Sequence, residues 1–326
     1  MSNIRIKPFR NPKVGSAAVI YGLLLVVFAG MAVVSPSYRS IENIGNIIVQ
    51  CIPLAIVSMG QTIVIIGGGI DMSVGAMISM STCIAAVTMS SDSAVSVAGG
   101  LALVLLASSG AGLLNGLGVN YCKVPPLITT LSMMTVLSGI SLAILPQAGG
   151  RVSKVFADFM MLRAGVLSVS LLILICVYLL LRRAMYHSGF GNAVYAIGNH
   201  QGIAASMGVK VKRISILTYV AAGVCAGVTG LLLASRMRIG DPVIGTSFGL
   251  DSITASAIGG TSLNGGEGQV SGTIAGAFLI GMLSNMMNIL GVNHFYQYVL
   301  KGILLVAAMI IYSISNTLEV KRHAGI

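Results

Sequence analysis

Residues 44–75 read IGNIIVQCIPLAIVSMGQTIVIIGGGIDMSVG. From Ile44 to Ile66 there is no charged side chain. A helix needs about 20 apolar residues to cross the hydrocarbon core of a bilayer, so this run is long enough to span. Gly67, Gly68 and Gly69 then interrupt it. Each glycine disfavours continuous helix by ~1 kcal/mol relative to alanine. Asp71 and Ser73 follow, and their side-chain oxygens can cap the free N–H groups of a helix that restarts near Gly75. An apolar run, a glycine break and a new apolar run together predict helices in lipid.

The same pattern recurs along the 326 residues, of which 56% are hydrophobic and 8% charged. A soluble domain carries roughly 25% charged residues. Mean hydropathy is +0.95, and no polar stretch is long enough for a separate soluble domain. Apolar runs fall near 15–34, 44–66, 73–90, 95–118, 125–145, 166–181, 214–234, 251–263, 270–290 and 297–315. They are too long for strands and lack period-2 alternation. The predicted fold is an all-α integral membrane bundle of about ten transmembrane helices in one domain. The run 251–263 is too short to cross unaided and reads as a short or re-entrant segment, which requires protein to cover its free backbone groups. The first run follows Arg5, Lys7, Arg10 and Lys13 and continues into Ser35-Pro36 without a small-residue cleavage site. It reads as an uncleaved helix.

The formal charge of +11 fits a membrane protein better than a nucleic-acid binder. The basic residues sit in short loops, and lysine and arginine concentrate on the cytoplasmic side. With the N-terminus inside and ten alternating spans, twelve basic residues face the cytoplasm and six the other side, with Lys301 in the last span. Both tails, 1–14 and 316–326, are then cytoplasmic, as is the connection 182–213, which carries five basic residues and no acid. Within it, Asn199 to Met207 reads as a short helix with Asn199 as N-cap and Gly208 as left-handed stop. This helix reads either as part of a positive anchor or as a docking element for a cytoplasmic partner. The longest external connection, 146–165, reads as solvated or as a surface for an external partner. The five cysteines, Cys51, Cys83, Cys122, Cys176 and Cys225, lie in or beside apolar runs without CxxC spacing. They read as small hydrophobes, with no disulfide and no metal site expected.

Several chemistries are excluded by motif. No lysine is followed by serine or threonine, so the chain has no phosphate loop, and ATP would have to be bound by another chain. HExxH is absent as well. Ion-coupled carriers usually place an ionisable group inside the bundle. Here Asp71, Asp251 and Glu267 only flank glycine-rich breaks, so ion coupling rests on Asp71 alone. The second break, Ile258-Gly259-Gly260-Thr261-Ser262-Leu263-Asn264-Gly265-Gly266-Glu267-Gly268, echoes the first at the same topological parity. Paired glycine-interrupted segments point to a transport site. Each break also reads as an ordinary turn.

Four stretches in order resemble the permease subunits of ATP-binding-cassette importers for simple sugars, the ribose/xylose/arabinose/galactose branch. Gly68-Gly69-Ile70-Asp71-Met72-Ser73-Val74-Gly75 is similar to the family's GGIDLSVG. Leu114-Asn115-Gly116 with Val124-Pro125-Pro126-Leu127-Ile128-Thr129-Thr130-Leu131 is similar to its NG and PPFI-TL segments. Tyr195-Ala196-Ile197-Gly198-Asn199, Ala204-Ala205 and Gly208-Val209 resemble its cytoplasmic loop, and 258–268 resembles its GGTSLxGGxG signature. The resemblance covers residues 44–312.

The resemblance implies a permease in a bacterial inner membrane, paired with a second permease subunit. It also implies a cytoplasmic ABC ATPase that binds ATP and Mg, and a periplasmic or lipid-anchored sugar-binding protein. Tyr195, Gly198, Asn199, Ala204, Ala205 and Gly208 would couple to the ATPase. Gly68, Gly69, Asp71, Ser73, Gly75, Gly259, Gly260, Thr261, Asn264, Gly265, Gly266 and Gly268 would line a pathway or gate. Asn46, Gln50, Gln61, Thr129 and Thr130 can hydrogen-bond sugar hydroxyls without buried charge, and each also reads as a helix-packing residue. One departure is that the family's loop carries an acid before its paired alanines, where this chain has Gly202. The alternative function is an ion-coupled secondary transporter of a small polar solute.

Overall fold

The computed structural model describes residues 14–164, 167–293, 295–297, 299–300, 302–303 and 306. The helices are α1 (Val14–Val34), α2 (Ile41–Ile66), α3 (Val74–Thr88), α4 (Ala94–Asn120), α5 (Pro126–Ile144), α6 (Lys154–Met161), α7 (Val169–Tyr186), α8 (Gly189–Asn199), α9 (Gln201–Ser206), α10 (Val211–Met237), α11 (Phe248–Ile258) and α12 (Val270–Ile289). Among the described residues, six of these, α2, α4, α5, α7, α10 and α12, are long and apolar enough to cross a membrane. The two expected tails, apart from Val14, and most of the expected span 297–315 lie outside the described residues.

α2 is the central helix, with 83% of its apolar window buried, against 28% for α4 and 17% each for α5 and α7. It packs on α7, α8, α10, α11 and α12. The outer helices instead present large apolar side chains such as Leu106, Val136 and Leu180 outward. Water would penalise so much exposed hydrocarbon, whereas lipid tails solvate it. Apolar burial therefore does not drive these helices together, and close backbone packing takes its place. The α4–α10 seam shows how. Gly112 and Gly116 on α4, and Gly223 and Gly227 on α10, are two four-residue glycine spacings. A Cβ at Gly112 would strike the Tyr219 carbonyl, and one at Gly223 the Ser108 carbonyl.

The connection from α10 to α11 is irregular and lies along α3. The Thr82 hydroxyl donates to the Asp241 carbonyl (3.0 Å) and accepts the Asp241 N–H (3.1 Å), while Ser79 Oγ accepts the Gly245 N–H (2.9 Å). Side chains of α3 thus satisfy backbone groups that lipid could not. The Thr82→Val variant is expected to orphan both Asp241 groups and destabilise the protein by about 1–3 kcal/mol. A lower thermal midpoint in detergent is the measurement. Two spans need correction here. The run read as 73–90 is a 15-residue helix, α3. The run read as 251–263 is α11, an 11-residue helix from Phe248 to Ile258, about 16 Å long at 1.5 Å per residue.

The connections also hold structure that the sequence reading left out. α6 lies within 146–165, followed by a two-residue ribbon pairing Arg163–Ala164 with Leu167–Ser168. Asp92 clasps the start of α6, accepting from Ser153 Oγ (2.8 Å) and the Val155 N–H (3.3 Å). The Ser153 hydroxyl and then these backbone bonds hold the Asp92 carboxyl below its usual range. In the connection read as 182–213, α7 runs on to Tyr186, and α8 and α9 fill most of the remainder. The expected N-cap Asn199 is instead the last residue of α8. His200 caps α9, its Nδ1 accepting from the Ile203 N–H (3.4 Å). Gly208 does adopt the left-handed conformation, φ +84°.

Candidate functional site

The two glycine breaks and the end of α8 meet at one junction. α2 ends at Ile66, and its carbonyl accepts the Gly266 N–H (2.9 Å). Gly198 of α8 lies directly against this bond. A Cβ at Gly198 would collide with the Ile66 carbonyl oxygen and the Gly266 nitrogen. Two side chains of α8 then bind the second break. Tyr195 OH donates to the Gly268 carbonyl (2.8 Å), and Asn199 Nδ2 donates to the Gly266 carbonyl (3.2 Å) and the Tyr195 carbonyl (2.9 Å). The break 259–268 closes on itself through Ser262 N–H to the Glu267 carbonyl (3.0 Å) and Gly265 N–H to the Ser262 carbonyl (3.1 Å). Gly265 packs on Gly68, and Gly259 on Gly272 of α12. Thr261 is buried, whereas Asn264 is exposed beyond the junction.

The first break is organised by Asp71, which is fully buried. Its Oδ1 accepts the Ser73 N–H (2.8 Å) and the Ser73 hydroxyl (2.6 Å). Asn115 Nδ2, from α4, reaches both carboxylate oxygens (3.4 and 3.3 Å) and Ser73 Oγ (2.8 Å). Ser73 sits at the N-cap position of α3, but its hydroxyl donates to Asp71 and makes no cap bond. This corrects the expected capping role of Ser73. Gln61, with its amide oriented to match, bonds the Asp71 N–H and carbonyl (3.1 Å each). Thr130 Oγ1 donates to the Ile70 carbonyl (3.2 Å). Gln61 and Thr130 therefore brace the break. Thr129 bonds only the Val124 and Pro125 carbonyls of its own turn. Gly69 lies against the Tyr219 hydroxyl, and Gly75 against Gly245. Asn115 lies in the family-like stretch Leu114-Asn115-Gly116, outside the predicted site residues. Its contact with Asp71, 44 positions away, has no local signal.

Asn46 and Gln50 lie toward the other end of α2. They line a cavity of about 390 Å³ enclosed by α2, α6, α7, α10 and the ribbon. Gln50 and Ile66 are separated by about 24 Å at 1.5 Å per residue. Of the remaining coupling candidates, Ala204 is buried, while Ala205 and Gly208 are exposed on α9 and beyond it.

A polytopic helical bundle with a glycine-interrupted core, side-chain-braced breaks and a polar cavity defines a membrane permease. The chain belongs to the family described as branched-chain amino acid transport system / permease component, whose model matches residues 43–309. It is 34% identical over 298 residues to the ribose import permease protein of Bacillus subtilis (strain 168), covering 89% of this chain and 90% of that one. It is 30% identical over 305 residues to the D-allose transport system permease protein of Escherichia coli (strain K12), with 93% of each covered. The L-arabinose ABC transporter permease protein of Azospirillum brasilense is 31% identical over 297 residues, 88% of this chain and 85% of that one. No solved structure matches the chain.

Proposed function

We propose that this chain is the membrane-spanning permease subunit of an ATP-binding-cassette importer for a simple sugar in a bacterial inner membrane. It has ten spans, both termini are cytoplasmic, and it pairs with a second permease subunit. ATP and Mg are bound by separate ATPase chains, and a binding protein delivers the sugar from outside. The observation that carries this reading is the contact of α8 with both glycine breaks: Tyr195 and Asn199 bond the second, and Gly198 packs on the end of α2 where the first begins. A push on α8 and α9 reaches the end of α2 through Gly198, and the start of α12 through Tyr195 and Asn199. Gly202, Ile203, Ala205 and Met207 of the α9 segment are exposed. With no acid in the 182–213 connection, docking on the ATPase rests on shape and on Arg or Lys contacts.

Ala204→Trp tests the reading in a complex of permease, ATPase and binding protein. Ala204 is 1% exposed, so a large side chain would lever α9 off the bundle. Overpacking of this kind costs about 1–3 kcal/mol. The expected outcome is that uptake is lost while ATP hydrolysis persists. Unchanged uptake would remove α9 from the coupling path. Uptake that survives without the ATPase would replace the ABC reading with a secondary carrier.

A further inference from the structure

The cavity at the outer end of α2 is not part of the glycine junction. Its polar lining is Asn46, Gln50, Arg163, Ser168, Ser170 and Arg236, and Val49 and Met160 add apolar surface. We propose that this cavity is a saccharide site within a single permease chain, taking an uncharged ligand of monosaccharide size through its neighbouring hydroxyls. The inference rests on the sugar-importer reading and adds a place for the substrate.

Several of the lining groups are already committed. Arg163 donates to Asn46 Oδ1 (2.9 Å), which fixes that carboxamide with its Nδ2 free. Ser168 Oγ accepts the Leu171 N–H (3.1 Å), and Ser170 Oγ donates to the Met160 carbonyl (3.3 Å). Among the described residues, Gln50 and Arg236 have no hydrogen-bond partner. A guanidinium fork matches two adjacent oxygen acceptors. Carboxamides both donate and accept, as hydroxyls require. Two carboxamides, two hydroxyls and two guanidinium groups together offer the donors and acceptors that the several hydroxyls of a polyol require. The volume falls in the lower part of the roughly 300–1,000 Å³ range of small-molecule sites.

The floor of the cavity is closed. A cleft of about 10 Å³ lies beneath it, lined by Ile52, Pro53 and Leu232 among others, and it holds no more than about one water. Pro53 interrupts the α2 hydrogen-bond ladder at this level. Its carbonyl accepts from Thr229 of α10 (3.2 Å). A ligand here would have to wait for α2 and α10 to part, which places the site outside the gate.

The test is thiol protection in the assembled complex, in lipid nanodiscs. Cys122 and Cys176, the exposed cysteines, are replaced by serine, and Met161→Cys or Met160→Cys is the reporter. Millimolar ribose, arabinose and allose are compared with the corresponding sugar acids. At least one neutral sugar is expected to slow maleimide labelling about fivefold or more, and Gln50→Ala with Arg236→Met should remove that protection. A complex that takes up a sugar, but in which none of the sugars protects either reporter, would overturn the site and leave the importer reading intact. Stronger protection by sugar acids would overturn the uncharged assignment. Failure of the complex to take up any simple sugar would instead overturn the reading on which the site depends.

Discussion

A single methyl group at Gly198 is expected to lower sugar uptake at least tenfold. The Gly198 Cα faces the hydrogen bond that joins the end of α2 to the second glycine break. A Cβ there meets backbone atoms on both sides, which cannot rotate away as a side chain would. Overpacking costs about 1–3 kcal/mol, and a tenfold loss corresponds to ~1.4 kcal/mol. The strain can be relieved by moving α8 off the junction or by opening the Ile66–Gly266 bond. Either outcome disconnects the element proposed to meet the ATPase. Gly198→Ala is therefore expected to hydrolyse ATP without matching uptake. Gly202→Ala, four residues further on, meets no backbone within 4 Å and is expected to transport normally. If Gly198→Ala transports as well as the parent, α8 does not transmit through this contact.

Replacing Asp71 with alanine is expected to reduce the folded yield severely. Three donors converge on this carboxylate, namely the Ser73 N–H, the Ser73 hydroxyl and Asn115 Nδ2. All are buried, and each orphaned donor costs about 1–3 kcal/mol. A protein of ordinary stability, roughly 5–15 kcal/mol, would lose a large share of it. Monodisperse recovery from membranes and the thermal midpoint measure the effect. Asp71→Asn preserves shape and one acceptor oxygen and is expected to fold. It also separates the two transport classes. An ion-coupled carrier would lose a proton or sodium dependence with this change. The ABC permease is expected to have none to lose, because the parent should take up sugar equally with and without a proton-dissipating agent.

Much of the architecture was legible in composition and in short local patterns. Apolar runs free of charge mark the spans, because lipid admits little else. Gly67–Gly69 and the glycines of 259–268 mark the breaks for the same local reason. The seam between α4 and α10 is legible too, in the spacings Gly112/Gly116 and Gly223/Gly227. Choices between neighbours were harder. Asn199 is the expected cap, yet His200 takes the role, with Asn199 bonded to the Gly266 carbonyl 67 positions away.

Residue order alone establishes a helical membrane protein with two glycine breaks and no phosphate loop of its own. Only the tertiary structure decided that both interruptions meet at Gly198. It also decided that Asn115 holds Asp71, and that the Gly240–Gly245 stretch lies against Ser79 and Thr82. Asn46 and Gln50 share a cavity with Arg163 and Arg236 for the same reason. Hydropathy and helix breaking depend on neighbours within a few residues, whereas these contacts join positions 40 to 200 apart. They exist because buried backbone groups without water must find partners wherever the packed helices bring them.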